Sequence, residues 1–153
     1  MTILEKLIIT EDVSLIVLHH CPEDINFIST VFEKLADKEI NVDMISLSPP
    51  KGGSSTLSFT ILDEALEHTL EVLADLRAEF SKIKPMISSG NSKIQVCSEK
   101  MRTTFGVASK VLKAAAEVNA DIRLITTSEI DISLLVTKAD ETATYYAILK
   151  NLS

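Results

Sequence analysis

The chain is 153 residues long, enough for one ordinary domain or two small ones. Hydrophobic residues make up 46% and charged residues 24%, which excludes disorder and supports a packed core. The net charge is −7 and no Lys/Arg cluster is present, which disfavours both nucleic acid and an anionic membrane surface, since each needs a basic face.

No apolar run approaches the roughly 20 residues that span a bilayer. The start, "MTILEKLIITED", lacks a cationic segment and a small-residue cleavage site, so no signal peptide is expected. Two cysteines, Cys21 and Cys97, are too few for a disulfide framework, and a reduced, cytoplasmic setting is expected.

In chain order, "TILEKLIIT" (2–10) reads as a strand-like segment, with a frayed arm as the alternative. "SLIVL" (14–18) reads as a strand. "HHCPED" (19–24) reads as a polar turn rather than a metal site, because adjacent strand residues point to opposite faces and zinc ligands are more widely spaced. A helix follows, with Ile25, Ile28, Val31, Phe32 and Leu35 at helical spacing and Asp24 as N-cap. A strand is expected from Ile40 to Leu47, then the turn "PPKGG" (49–53). In the next strand Leu57, Phe59 and Ile61 alternate with Ser58 and Thr60, so one sheet face is apolar and the other partly polar. A second helix places Leu66, Leu70, Leu73 and Phe80 on one side, "KIKPMIS" (82–88) is a fourth strand, and "SSGNS" (88–92) is a short linker.

The order then recurs. "SKIQVC" (92–97) is a strand, and a helix carries Val107, Ala108, Val111, Leu112 and Ala115, with Thr103 or Thr104 as N-cap. Strands follow from Ala120 to Thr126 and over "DISLLVT", and a last helix carries Tyr145, Ile148, Leu149 and Leu152. A shift of 80 lays "NFISTVFEKLADKEINVDMISLS" on "GVASKVLKAAAEVNADIRLITTS", and a shift of 75 lays "TLSFTIL" on "DISLLVT". The difference of five is the loop Pro49 to Gly53, absent from the second copy. Each copy therefore reads βαββα, and the first adds a fourth strand.

The fold class is α+β: two ferredoxin-like βαββαβ sandwiches, each an antiparallel sheet with helices on one face. Residues 11–90 form the first domain, and 2–10 with 91–153 form the second, the N-terminal strand completing the second sheet. The outer face, with Ser58, Thr60, Ser133 and Leu135, is only half polar, so a homodimer is expected.

The run "GVASKVLKAAAEVNADIRLITTSEIDISLLV" (106–136) closely resembles the regulatory region of aspartate kinases, built from paired ACT domains. Gly106, Val107, Ala108, Ile125, Thr127, Ser128, Glu129, Ile130, Ile132 and Ser133 carry the match. Met101, Arg102 and Gly106 in "EKMRTTFG" extend it, and "INVDMI" (40–45) supplies it in the first copy. The resemblance covers nearly the whole chain and also implies a leading strand lent to the second unit. The kinase half is missing, and "KGGSST" lacks the GK[ST] order of a phosphate-binding loop. No catalytic residue, metal or cofactor is implied. The chain reads as a free-standing regulatory module, which its start at Met1 favours, or as a fragment of a longer aspartokinase.

That resemblance implies a binding site for a free amino acid. A helix start offers N–H groups to the carboxylate, and a carboxylate side chain suits the ammonium. Carried over residue by residue, the site comprises Glu23, Asn26, Ile28 and Asp43, with Asp121, Ile122 and Ser128 opposite. The chain departs from the family at Asn26, where a glycine is usual, at Leu47, where a polar residue is common, and at Asp121, which replaces Asn. Arg123 occupies the place of Asp43 in the second copy and would repel an ammonium, so only one copy need be a site; pairing of both with other charges is the alternative. The implied partners are an amino acid effector, a second copy of the chain and a catalytic kinase subunit. An assembly module without a ligand is the competing reading.

Overall fold

A computed structural model describes residues 2–153. The chain is α+β, with antiparallel strands and four α-helices. It forms two compact units: Val13–Ser89, and Gly90–Ser153 together with the N-terminal segment through Asp12.

In the Val13–Ser89 unit, strand β1 (Lys6–Pro22) leads into helix α1 (Ile25–Asp37), strand β2 (Ile45–Leu47) and strand β3 (Ser54–Leu62). Helix α2 (Leu66–Glu79) and the first half of strand β4 (Lys84–Cys97) complete it. The strand order is β2-β3-β1-β4. Strands β1 and β3 pair antiparallel from Val13↔Leu62 to Leu18↔Leu57. That register puts Ile16, Leu18, Leu57, Phe59 and Ile61 on one face, where they pack with Phe27, Val31 and Leu35 of α1 and Val72, Leu73 and Leu76 of α2.

Three expectations shift here. The buried face of α2 is Thr69, Val72, Leu73 and Leu76, and Leu70 is 46% exposed, because the stripe falls on the neighbouring helical rows. Ile25 is 75% exposed at the first position of α1, off the face that carries the buried stripe Phe27, Val31 and Leu35. The strand expected from Ile40 begins at Ile45. Thr60 Oγ1 accepts the Met44 N–H at 3.0 Å, so a side chain replaces a ladder bond just before regular pairing starts.

The other unit contains the second half of β4, helix α3 (Val107–Glu117), strands β5 (Ile122–Thr127) and β6 (Asp131–Thr137), and helix α4 (Glu141–Leu152). Its strand order is β5-β6-β4-β1, with the first half of β1 at the edge. Ile94, Val96, Ile132, Leu134 and Val136 pack against Val111 and Ala115 of α3 and Ile148 and Leu152 of α4. Ile3, Leu4, Leu7 and Ile9 join that core, and Glu5 N–H donates to the Cys97 carbonyl at 3.1 Å, so this segment is tied down rather than frayed.

The α3 stripe is Val107, Val111, Ala114 and Ala115; Ala108 and Leu112 lie just outside it. Neither Thr103 nor Thr104 caps α3: both sit in the preceding turn, and the N-cap is Gly106 at φ 81°, a left-handed angle that leaves no capping side chain. In α4 the buried residues are Thr144, Ala147, Ile148 and Leu152, with Tyr145 half-buried and Tyr146 exposed.

"SSGNS" is not a linker. It lies inside β4, which runs unbroken through Gly90 at φ 70°. Likewise residues 6–10 and 14–18 belong to one strand, β1, that passes through Asp12 at φ 57°, while residues 2–5 precede it. A single left-handed residue changes direction without ending a strand. The internal repeat reaches the backbone angles: Glu39 (φ 57°) and Asn119 (φ 50°) are equivalent left-handed residues after α1 and α3. No helix among the described residues is long and apolar enough to cross a membrane.

Candidate functional site

The Val13–Ser89 unit carries three adjoining concavities around the end of β1, the start of α1 and the β2–β3 loop. Their shape begins with a bulge. After Leu18 the β1–β3 register slips, and pairing resumes at Cys21↔Ser55. His20 takes up the slip at φ 60°. Cys21 is buried, and its thiol donates to the Leu18 carbonyl at 3.2 Å. Burial pushes that thiol up from its ordinary pKa, which makes it a packing group and a poor nucleophile. His19 lies 3.4 Å from Thr56 Oγ1 through Nδ1 and 3.2 Å from Met86 Sδ through Nε2.

The concavity at the α1 start has a volume of about 230 Å³. Glu23 and Asp24 give it an acidic wall, Ile25, Ile28 and Leu47 an apolar one, and Ser48 and Ser55 add hydroxyls. Glu23 and Ile28 thus share one space. Leu47 lines it without filling it.

The α1 start itself is already satisfied. Asp24 Oδ1 accepts the Asn26 N–H at 2.9 Å and Asn26 Nδ2 at 3.1 Å, and the Asp24 carbonyl accepts the N–H groups of Phe27 and Ile28. An internal carboxylate therefore sits where a ligand carboxylate would otherwise go, and its charge favours a cation nearby. The Asn26 amide turns back onto Asp24, and Asn26 is not a wall of the concavity. Asp43 is exposed, donates its N–H to the Thr60 carbonyl at 3.1 Å, and does not line the concavity.

Asp121, Ile122 and Ser128 belong to the other unit. Asp121 pairs with Arg123 Nη2 at 3.0 Å, and its N–H donates to Asp140 Oδ2 at 2.8 Å, which holds the Asp140 carboxyl below the usual range. Ile122 packs half-buried against the core there. Ser128 Oγ donates to Asp131 Oδ1 at 2.7 Å and accepts the Ile130 N–H at 3.2 Å. The Ser128 hydroxyl is the main reason the Asp131 carboxyl lies below its usual range. Among the described residues no group of three or more His, Cys, Asp and Glu side chains could hold a metal ion.

The wall residues Leu47, Ser48, Pro50 and Ser55 lie outside the candidate set read from the sequence. The signal for them was the insertion: Pro49, Pro50, Lys51, Gly52 and Gly53 each line one of the three concavities.

Residues 94–152 match the ACT domain family. The aspartokinase of Helicobacter pylori is 36% identical over 106 residues, which cover 69% of this chain and 26% of that protein. The chain therefore spans about a quarter of the length of the first curated relatives it matches. The ligand-free regulatory subunit of aspartate kinase from Thermus thermophilus superposes with a TM-score of 0.89 at 25% identity, covering 99% of each chain. A structure of aspartokinase alpha and beta subunits gives 0.83 at 26% identity, covering 97% of each chain. Residues 94–152 thus match the ACT domain family, in a chain similar throughout to the regulatory subunits of aspartate kinase.

Proposed function

We propose that the protein is a non-catalytic, amino-acid-sensing regulatory module of the aspartokinase kind, acting in the cytoplasm. Each compact unit is one ferredoxin-like ACT domain, and the N-terminal strand completes the second. The strand orders β2-β3-β1-β4 and β5-β6-β4-β1 support this, because they are one order written twice.

The observation that carries the sensing role is the lining of the 230 Å³ concavity. Its acidic wall suits an ammonium, its apolar wall an aliphatic side chain, and Ser48 and Ser55 can donate to a carboxylate. On the resemblance, Asn26 and Asp43 are further effector contacts of this unit, outside the present walls of the concavity. Partners are a second copy and a catalytic kinase subunit. A regulatory effect requires that the effector bind one assembly state better than another.

Thermal-shift screening against the common amino acids tests the proposal. One of them should raise the melting temperature, corresponding to about 2.7 kcal/mol at a hundred times its Kd. Glu23→Gln, Asp43→Ala and the space-filling Leu47→Trp should each remove most of that rise. No response to any amino acid at millimolar concentration would overturn the sensing role. A second reading, an assembly module that has lost its ligand, draws on Asp24 occupying the α1 start; it expects a stable dimer indifferent to every amino acid and to Asp43→Ala.

A further inference from the structure

We propose that the larger concavity of the Val13–Ser89 unit, about 740 Å³, is a second ligand site that takes a small organic monocarboxylate with an apolar body. The volume lies in the range of small-molecule sites, roughly 300–1,000 Å³. Its walls are the bulge at His20–Pro22, the hairpin Gly52–Ser54 and the turn Phe80–Ile83.

These walls are held before any ligand arrives. Phe80 stacks edge-on against Phe27, with ring centres 4.8 Å apart, and its N–H donates to the Leu76 carbonyl at 2.7 Å. Ile83 is buried, and its N–H donates to the Phe80 carbonyl at 3.3 Å. The hairpin closes with Lys51 N–H donating to the Ser54 carbonyl at 2.7 Å, and Gly52 and Gly53 supply two successive left-handed residues. His20 is left-handed without being glycine, a strained conformation that persists where the surroundings impose it and that recurs at ligand sites.

The charge of the lining selects the ligand. The chain carries 22 acidic residues and a net charge of −7, yet no carboxylate lines this concavity. Lys82 and His20 do, with the Ser54 and Ser81 hydroxyls beside them. An anion is therefore drawn to Lys82. The carbonyl end of α2 lies just before Ser81 and carries partial negative charge, which opposes Lys82 in drawing an anion and penalises a phosphate dianion more than a carboxylate. Phe80, Ile83 and Pro22 take the apolar body.

The test is a nitrogen-15 chemical-shift titration of the full chain with benzoate, phenylphosphate and benzylamine as probes. Benzoate should give saturable shifts at residues 20–22, 52–54 and 80–83, with a Kd of about 1 mM. Phenylphosphate should bind more weakly, and benzylamine should not saturate. Lys82 is exposed, so Lys82→Glu should leave the fold intact and weaken benzoate by about tenfold or more. Leu47→Trp, which blocks only the smaller concavity, should leave benzoate binding unchanged, so this site stands or falls independently of the effector site. Absence of saturable shifts, shifts indifferent to Lys82→Glu, or benzylamine binding as well as benzoate would overturn the proposal.

Discussion

Replacing Asp24 by alanine separates what holds the start of α1 from what a ligand could find there. Asp24 is extended (φ −152°, ψ 122°), and its carboxylate accepts from the Asn26 N–H and the Asn26 amide. Loss of an N-cap side chain costs about 1 kcal/mol. A local opening energy lowered by that amount speeds amide exchange at Asn26, Phe27 and Ile28 about fivefold. In about 0.5 M salt the charge–dipole share is screened, so Asp24→Asn, which keeps an acceptor, should exchange within about twofold of the parent protein while Asp24→Ala stays about fivefold faster. The alanine variant also uncovers an N-terminus that acetate can occupy, so acetate should slow its exchange and leave the parent unaffected. Hydrogen exchange on the full chain reads all of this. Unchanged exchange in Asp24→Ala, or an asparagine variant as fast as the alanine one in high salt, would refute the assignment of Asp24 as the group that satisfies the helix start.

Leu35 is fully buried in the core of the Val13–Ser89 unit, so Leu35→Ala should cost about 2–5 kcal/mol in urea unfolding. Gly90→Ala should cost about 1–2 kcal/mol by the same assay, from backbone strain alone; a Cβ there meets nothing within 4 Å, so Gly90→Asn should recover part of the loss. The Asp131 carboxyl lies below its usual range, chiefly through the Ser128 hydroxyl and also through Gln95. Its contribution to stability is therefore complete above the ordinary aspartate pKa and is lost as pH falls through the lower, folded value. Ser128→Ala should be less stable than the parent at neutral pH, and the gap should close in acid, as read by urea unfolding across a pH series.

Much of the fold was legible in the sequence because it is written twice. Apolar spacing in "NFISTVFEKLADKEI" and in "TLSFTIL" sets a helix and a strand by local periodicity, and each recurs downstream at a constant offset. What periodicity missed lies where one residue changes the local rule. Thr60 takes a ladder donor with its hydroxyl, and Gly106 starts α3 without a capping side chain. Asp12 and Gly90 turn two strands without ending them, although Gly90 sits in a stretch whose composition reads as a linker. Of the candidate site, Glu23 and Ile28 share one space, which Leu47 at the end of β2 and Ser55 at the start of β3 also line; the sequence marked Leu47 only as a departure from the family and Ser55 not at all.

The sequence by itself determined the four helices and most of the strands, their repetition, the Asp24 cap and the apolar faces of the sheets, because these depend on contacts a few residues apart or on a repeated pattern; it read the strand stretches 19–22 and 88–92 as turn and linker. Only the tertiary structure decided that His20, Gly53 and Lys82 surround one concavity and that Glu23, Leu47 and Ser55 surround another. Those residues stand far apart along the chain: the register of β1 on β3, with its slip after Leu18, brings the end of β1 to the start of β3, the pairing of β2 with β3 adds Leu47, and the turn between α2 and β4 adds Lys82.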